Sequence, residues 1–265
     1  MYIANDIAIT SLETITFYNV LTGNYKFVLD ELQNATIAQT QEKSDITGKQ
    51  GRKITSLKKN KAVTISGASG LLSAGLMELQ TGGEFENKET EIQWRDYLTV
   101  NSNAASTAYK AIGTEGNEIA EVIVKNANGA PVSTLTQAAA VDTGKFTYDP
   151  STKAIAFKEG EIADGTEILV NYKRKIKADV LENKSDVYSG KSTLYIDALG
   201  EDKCGKTYHI QIFVPKADFS GEFSLELGND QTVHNFEAEA LAGACGASDA
   251  LWTYTIFGTD TQDVA

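Results

Sequence analysis

Over most of its length this chain alternates apolar and polar residues with a period of two, and only three prolines break the pattern. Successive side chains on a strand point to opposite faces, so each alternating run predicts a strand with one face buried and the other wet. ETITFYN near the start, KAVTIS around Val63, IAEVIV at 119–124, GKFTYD at 144–149, EILVNY at 167–172 and EFSLEL at 222–227 all read this way. In EFSLEL, Phe223, Leu225 and Leu227 are expected to face inward; WTYTIF repeats the idea with Trp252, Tyr254 and Ile256. The chain is therefore expected to be mainly β.

One helix interrupts the strands. In SGLLSAGLMELQTGG, Ser69 can cap the start, Leu72, Leu76 and Leu79 recur with Leu71 and Gly75 along one stripe, and Gly82 and Gly83 stop it. FVLDELQNA at 27–35 reads as either helical or extended. Two stretches stand apart. Residues 38–61 are polar, with too few apolar positions for a core element, and read as a long loop. Residues 102–176 carry their own strands and their own turn signals, NANGAP, YDPSTK and IADGTE, and read as a β-rich insertion. That leaves 1–101 and 177–265 as a discontinuous parent domain.

The run GEDKCGKT at 200–207 satisfies the phosphate-loop pattern of Gly200, four residues, then Gly205, Lys206 and Thr207. The chemistry of that loop requires a helix directly after it, whose free amides and dipole face the phosphates. Here YHIQIFVPK follows, in which Tyr208, Ile210, Ile212 and Val214 alternate with polar or outward positions until Pro215 ends the run. Upstream, TLYIDAL places Leu194, Ile196 and Ala198 on one face. The motif therefore joins two strands and reads as a hairpin loop.

Other chemistry is sparse. His209 sits in an alternating strand and His234 follows a loop, and neither has a second ligand at metal spacing, so both read as structural. No Gly-x-Ser-x-Gly or Cys-His signature occurs, and acidic pairs such as Glu222 with Glu226 or Glu237 with Glu239 look simply solvated. Cys204 and Cys245 read as two unpaired thiols in a reduced compartment. The N-terminal run MYIANDIAIT has no basic region ahead of an apolar one, so the expected place of synthesis and residence is a cytosol. No catalytic residue, cofactor or metal is expected.

The net charge is −12, which disfavours sequence-blind binding of nucleic acid by the whole surface. Against that background, Lys49, Arg52, Lys53, Lys58, Lys59 and Lys61 place six cations within 13 positions. The run lacks the interleaved aromatics that stack on bases. A solvated loop is one reading; the other is that the basic loop of one copy docks on the acidic surface of the next, so that self-assembly uses both signs.

DITGKQGRKITSLKKNKAVTISGASGLLSAGLMELQTG, followed by ENKSDVYSGKSTLYIDAL, by YHIQIFVPKADFSGEFSLELG and by HNFEAEAL, resembles the major tail tube proteins of bacteriophages and related tail-like particles. The resemblance covers about 25–100 and 175–260. It implies a β-sandwich or barrel of antiparallel strands with one flanking helix. It also implies subunits that form rings, commonly hexameric, which stack into a tube through which the genome passes. On that footing the segment Lys49 to Lys61 corresponds to the loop that contacts neighbouring subunits. The partners implied are other copies of the chain, the tape measure, the terminator and in some tails a sheath, with double-stranded DNA passing through the lumen without specific binding. Assembly would take place in the host bacterial cytoplasm, and no membrane is involved. The alternative reading is a carbohydrate- or surface-binding β-domain of adhesin type, which an absent export signal and the lack of an exposed aromatic cluster in any recognisable loop disfavour.

Overall fold

The computed structural model describes residues 6–225, 233–243 and 249–258. The strands are β1 (Ala8–Tyr18), β2 (Tyr25–Leu29), β3 (Leu32–Thr47), β4 (Lys53–Ser69), β5 (Glu86–Thr99), β6 (Ala104–Ser106), β7 (Ile119–Lys125), β8 (Pro131–Gln137), β9 (Lys145–Asp149), β10 (Ala154–Phe157), β11 (Glu167–Val180), β12 (Lys191–Glu201), β13 (Thr207–Phe219), β14 (His234–Ala240) and β15 (Thr253–Gly258). The helix α1 (Ala74–Thr81) lies between β4 and β5. The protein is thus mainly β, as the period of two predicts. It divides into two compact units, the first made of the chain up to Phe85 and from Leu181 onward, the second of Glu86–Val180.

In the first unit the strands lie in the order β2–β1–β12–β13–β14–β4–β3, all antiparallel, with β15 pairing with the early part of β13. One face carries the core: Ile15, Phe17, Val63, Ile65, Leu194, Ile196, Val214 and Phe236, closed by Leu76 and Leu79 of α1. The Phe17 ring stacks on Phe27 at 4.1 Å and meets Phe219 at 5.8 Å. Such pairs add about 0.5–1.5 kcal/mol each beyond the area they bury.

The helix starts later than the sequence suggests. Ser69 remains in β4, where it is paired with His234 and Leu32, and its Oγ accepts the Leu71 amide at 3.3 Å, short of the helix. Ser73 caps instead, its Oγ accepting the Leu76 amide at 3.3 Å. Leu71 and Leu72 are consequently exposed, and the apolar stripe shrinks to Leu76 and Leu79. Gly82 ends the helix at φ 73°, donating to the Glu78 carbonyl at 2.7 Å. Gly75 passes under the Phe27 ring so closely that a Cβ there would lie 2.5 Å from it.

His234 ties this helix to the sheet. Its Nδ1 accepts the Ser73 amide at 3.3 Å, so Nε2 carries the proton and donates to Gln80 Oε1 at 2.8 Å. Gln80 Nε2 in turn donates to the Asn235 carbonyl at 2.8 Å. Burial holds the imidazole neutral by pushing its pKa below the ordinary value.

Two strand readings need correction, and one left open is decided. Pro215 does not end β13, which runs on to Phe219; Pro215 and Lys216 bulge out between the Leu194–Val214 and Ser192–Ala217 pairs, where a missing N–H costs nothing. Of EFSLEL, Glu222–Ser224 lie outside any strand, Leu225 makes a single bridge to His234 and is exposed, and Glu226 and Leu227 fall outside the described residues. FVLDELQNA is extended, shared between β2 and β3. Cys245 also lies outside the described residues, and Cys204 is an exposed free thiol.

In the second unit the order is β5–β11–β7–β8–β9–β10–β6, with β8 and β9 parallel and the rest antiparallel. Strands β5 and β11 pair without a break from Glu86–Val180 to Thr99–Glu167. The core gathers Val100, Ile119, Val122, Leu135, Phe146, Ile155, Ile168 and Val170. The buried Asp96 carboxylate is satisfied by Trp94 Nε1 at 3.0 Å, the Ala108 amide at 2.8 Å and the Tyr172 hydroxyl at 2.8 Å. Burial and that carboxylate raise the Tyr172 pKa well above the ordinary phenol value.

Candidate assembly surface

GEDKCGKT forms the tight connection between β12 and β13, paired from Glu201–Thr207 inward. The amides that a phosphate loop would turn outward are engaged internally: Asp202 Oδ1 accepts Cys204 N–H at 2.8 Å and Lys206 N–H at 3.0 Å, and the Asp202 carbonyl accepts Gly205 N–H at 3.1 Å. A carboxylate occupies the place where an anion would have to bind. Among the described residues, no cluster of three or more His, Cys, Asp or Glu could hold a metal, and no helix is long and apolar enough to cross a membrane.

The six predicted cations lie on a structure the sequence did not predict. Residues 38–61 are not an irregular loop; they are the outer halves of β3 and β4, paired as a two-stranded ribbon as far as Thr47–Lys53. Strand β14 stops pairing with β4 at Thr64, so among the described residues everything beyond that point has no third strand. The polar composition that argued against a core element is correct, because none of 38–61 is buried. It does not argue against strands, since backbone pairing needs no apolar face.

Two local features shape this arm. At its root, Asn60 takes φ 51° in a bulge that sets Asn60 and Lys61 against a single residue of β3, and its side chain donates to Glu42 Oε2 at 2.8 Å. At its tip, Gly48 N–H donates to the Arg52 carbonyl at 2.7 Å around a turn in which Gln50 and Gly51 have φ 61° and 74°.

Lys49 sits in the tip and Arg52 just beyond it; Lys53 pairs with Asp45 at 2.7 Å, and Lys59 lies 4.0 Å from Glu42. Lys58 is directly opposite Lys43, a seventh cation that the sequence run did not single out because only the register brings it in. Among the described residues Lys49, Arg52, Lys58 and Lys61 have no carboxylate within ion-pair reach. Between 39 and 61 seven cations face two carboxylates, a net +5, which leaves the remainder of the chain at −17.

The arm also shows apolar groups to solvent. Leu57 (57 % exposed) shares a face with Ile46 (41 %), while Ile54 (69 %) projects from the irregularity near the tip. Isolated ribbons of two strands are marginal in water, and contiguous exposed apolar groups mark interaction surfaces. The arm has both properties, and its Lys43–Lys58 pair adds a like-charge opposition that is unfavourable in the lone subunit.

A family model described as the YomU/Tube protein family matches residues 7–254. No curated protein matches the chain. The family match runs through both units and all but the last strand's end, and the chain belongs to the YomU/Tube protein family, structural proteins of the phage tail tube.

Proposed function

We propose that copies of this chain assemble into stacked rings, six subunits to a ring, forming the hollow conduit through which a phage genome passes. The observation that carries the reading is the arm, a cation-rich ribbon with exposed apolar groups on a chain that is otherwise strongly acidic. Lys49, Arg52, Lys53, Lys58, Lys59 and Lys61 contact neighbouring subunits, and assembly takes place in the host cytoplasm before the tube joins tape measure, terminator and, in a contractile tail, sheath.

The acidic balance suits a DNA conduit. A basic wall would exchange counterions for lysine contacts at about one phosphate per 1.7 Å, and the duplex would stick. A wall of like sign keeps it moving. Six copies at −12 give −72 per ring, so contacts between subunits must outweigh considerable repulsion, and the arms supply opposite charge where neighbours meet. Electron microscopy of the concentrated protein tests the reading: rings or tubes are expected, and a strictly monomeric species at all ionic strengths would overturn it.

A further inference from the structure

The first unit's sheet has a second face, and it is not a plain solvent face. Cross-strand partners share a face, so register alone assigns its residues. Tyr25 pairs with Tyr18, Tyr18 with Thr193, and Tyr195 with Phe213, all opposite the core positions Phe17, Leu194 and Val214. The rings run on from one another across four strands: Tyr25 to Tyr18 at 6.1 Å, Tyr18 to Tyr195 at 5.4 Å, and Tyr195 to Phe213 at 4.8 Å. A groove of about 300 Å³ opens along them, walled by Tyr18, Thr193, Tyr195 and Phe213. On the strands that continue the same face, Asp218 pairs with Glu239, and Glu237 lies two residues along β14. The face therefore reads as an aromatic stripe beside a row of carboxylates.

We propose that this stripe is the seat of the arm from a second copy of the chain. The inference rests on the assembly reading above and names the surface that receives the arm. The two surfaces match in kind. Leu57 and Ile46 offer an apolar edge to the groove, and Lys59, two residues from Leu57 on the same face of β4, brings a cation to it, while Lys43 and Lys58 lie on the arm's other face. Ring faces attract cations, Lys and Arg alike. Lys191 already holds Asp218 at 3.4 Å, so Glu237 and Glu239 supply the net negative charge of the row. Arm and stripe are different patches of one subunit, so a copy that has seated its arm still offers its stripe to a third copy, and head-to-tail repetition of the contact can close a ring or continue a stack.

The test places a photo-crosslinking benzoylphenylalanine in place of Leu57, irradiates assembled full-length protein, and maps the joined peptides by mass spectrometry. Crosslinks to residues 14–28 or 193–213 of another copy are expected. Tyr195→Ala should lower the crosslink yield at least about tenfold, as removal of an aromatic anchor does, while far-ultraviolet circular dichroism remains that of the parent. Tubes that form with crosslinks landing elsewhere, or with Tyr18 and Tyr195 still open to a water-soluble tyrosine reagent, overturn the stripe as the seat and leave the assembly reading standing. Failure to assemble under any ionic condition overturns both.

Discussion

Lys58→Glu should push folding and assembly in opposite directions. In the subunit, Lys58 lies directly across the ribbon from Lys43, a like-charge pair on an exposed face. Directly opposed charges are worth roughly 0.2–1 kcal/mol in either sign, so reversing one of them swings the arm by about 0.5–2 kcal/mol toward greater stability. The arm lies outside the core, so the gain is local: amides of Lys43 to Lys59 should exchange with solvent severalfold more slowly, with the melting temperature little changed. Assembly should suffer. On the proposed assembly, an exposed ion pair between an arm and its neighbour is worth about 0.5 kcal/mol, and the six arms of one ring acting in parallel would forfeit about 3 kcal/mol per junction between rings, roughly a hundredfold in the stacking constant. Native-state hydrogen exchange on dilute protein and sedimentation velocity on concentrated protein read the two effects separately, and both should fade above about 0.5 M salt, where screening lengths fall to a few ångström. Faster exchange in the arm, or stacking equal to that of the parent, would refute the argument that the arm holds charges in reserve for a neighbour.

Two further outcomes follow from the packing around α1. His234 is buried and neutral with its pKa depressed, while in the unfolded chain it returns to about 6.5, so its contribution is fully present above that value and is lost as pH falls through it. Chemical denaturation between pH 7.5 and 5 should show this loss, and His234→Asn should be less stable at pH 7.5 yet flatter across the range; an unchanged slope would mean other groups dominate. Gly75→Ala gains about 1 kcal/mol of helix propensity but drives a Cβ to 2.5 Å from the Phe27 ring, which itself stacks on Phe17. Overpacking of that kind costs about 1–3 kcal/mol, so a net loss of stability is expected in thermal melting, and a rise in melting temperature would show that Phe27 yields freely.

The sequence carried the strands because burial is periodic. Ile15 with Phe17, Leu194 with Ile196, and Ile168 with Val170 each mark one face, and all are fully or almost fully buried. It carried the GEDKCGKT connection for the same reason, since the residues on both sides alternate. The arm was legible only as charge. Its backbone is paired, but pairing leaves no trace in hydropathy when neither face is covered, so 38–61 read as a loop and the Lys43–Lys58 opposition stayed hidden until the register was fixed. The helix start failed for a related reason: Ser69 has a good capping side chain, yet its backbone is held by His234, far along the chain. The aromatic stripe was hidden too. Tyr18, Tyr195 and Phe213 come from separate strands, and each alone passes for the outward residue of an ordinary one.

Glu86 and Val180, where the chain enters and leaves the second unit, are direct partners across β5 and β11. For the first unit, the whole of the second is thus equivalent to a tight turn, and its length adds almost no closure entropy once its own strands have formed. A lineage could lengthen, exchange or delete that stretch, rejoining the ribbon with a short turn, without disturbing the sheet of the first unit.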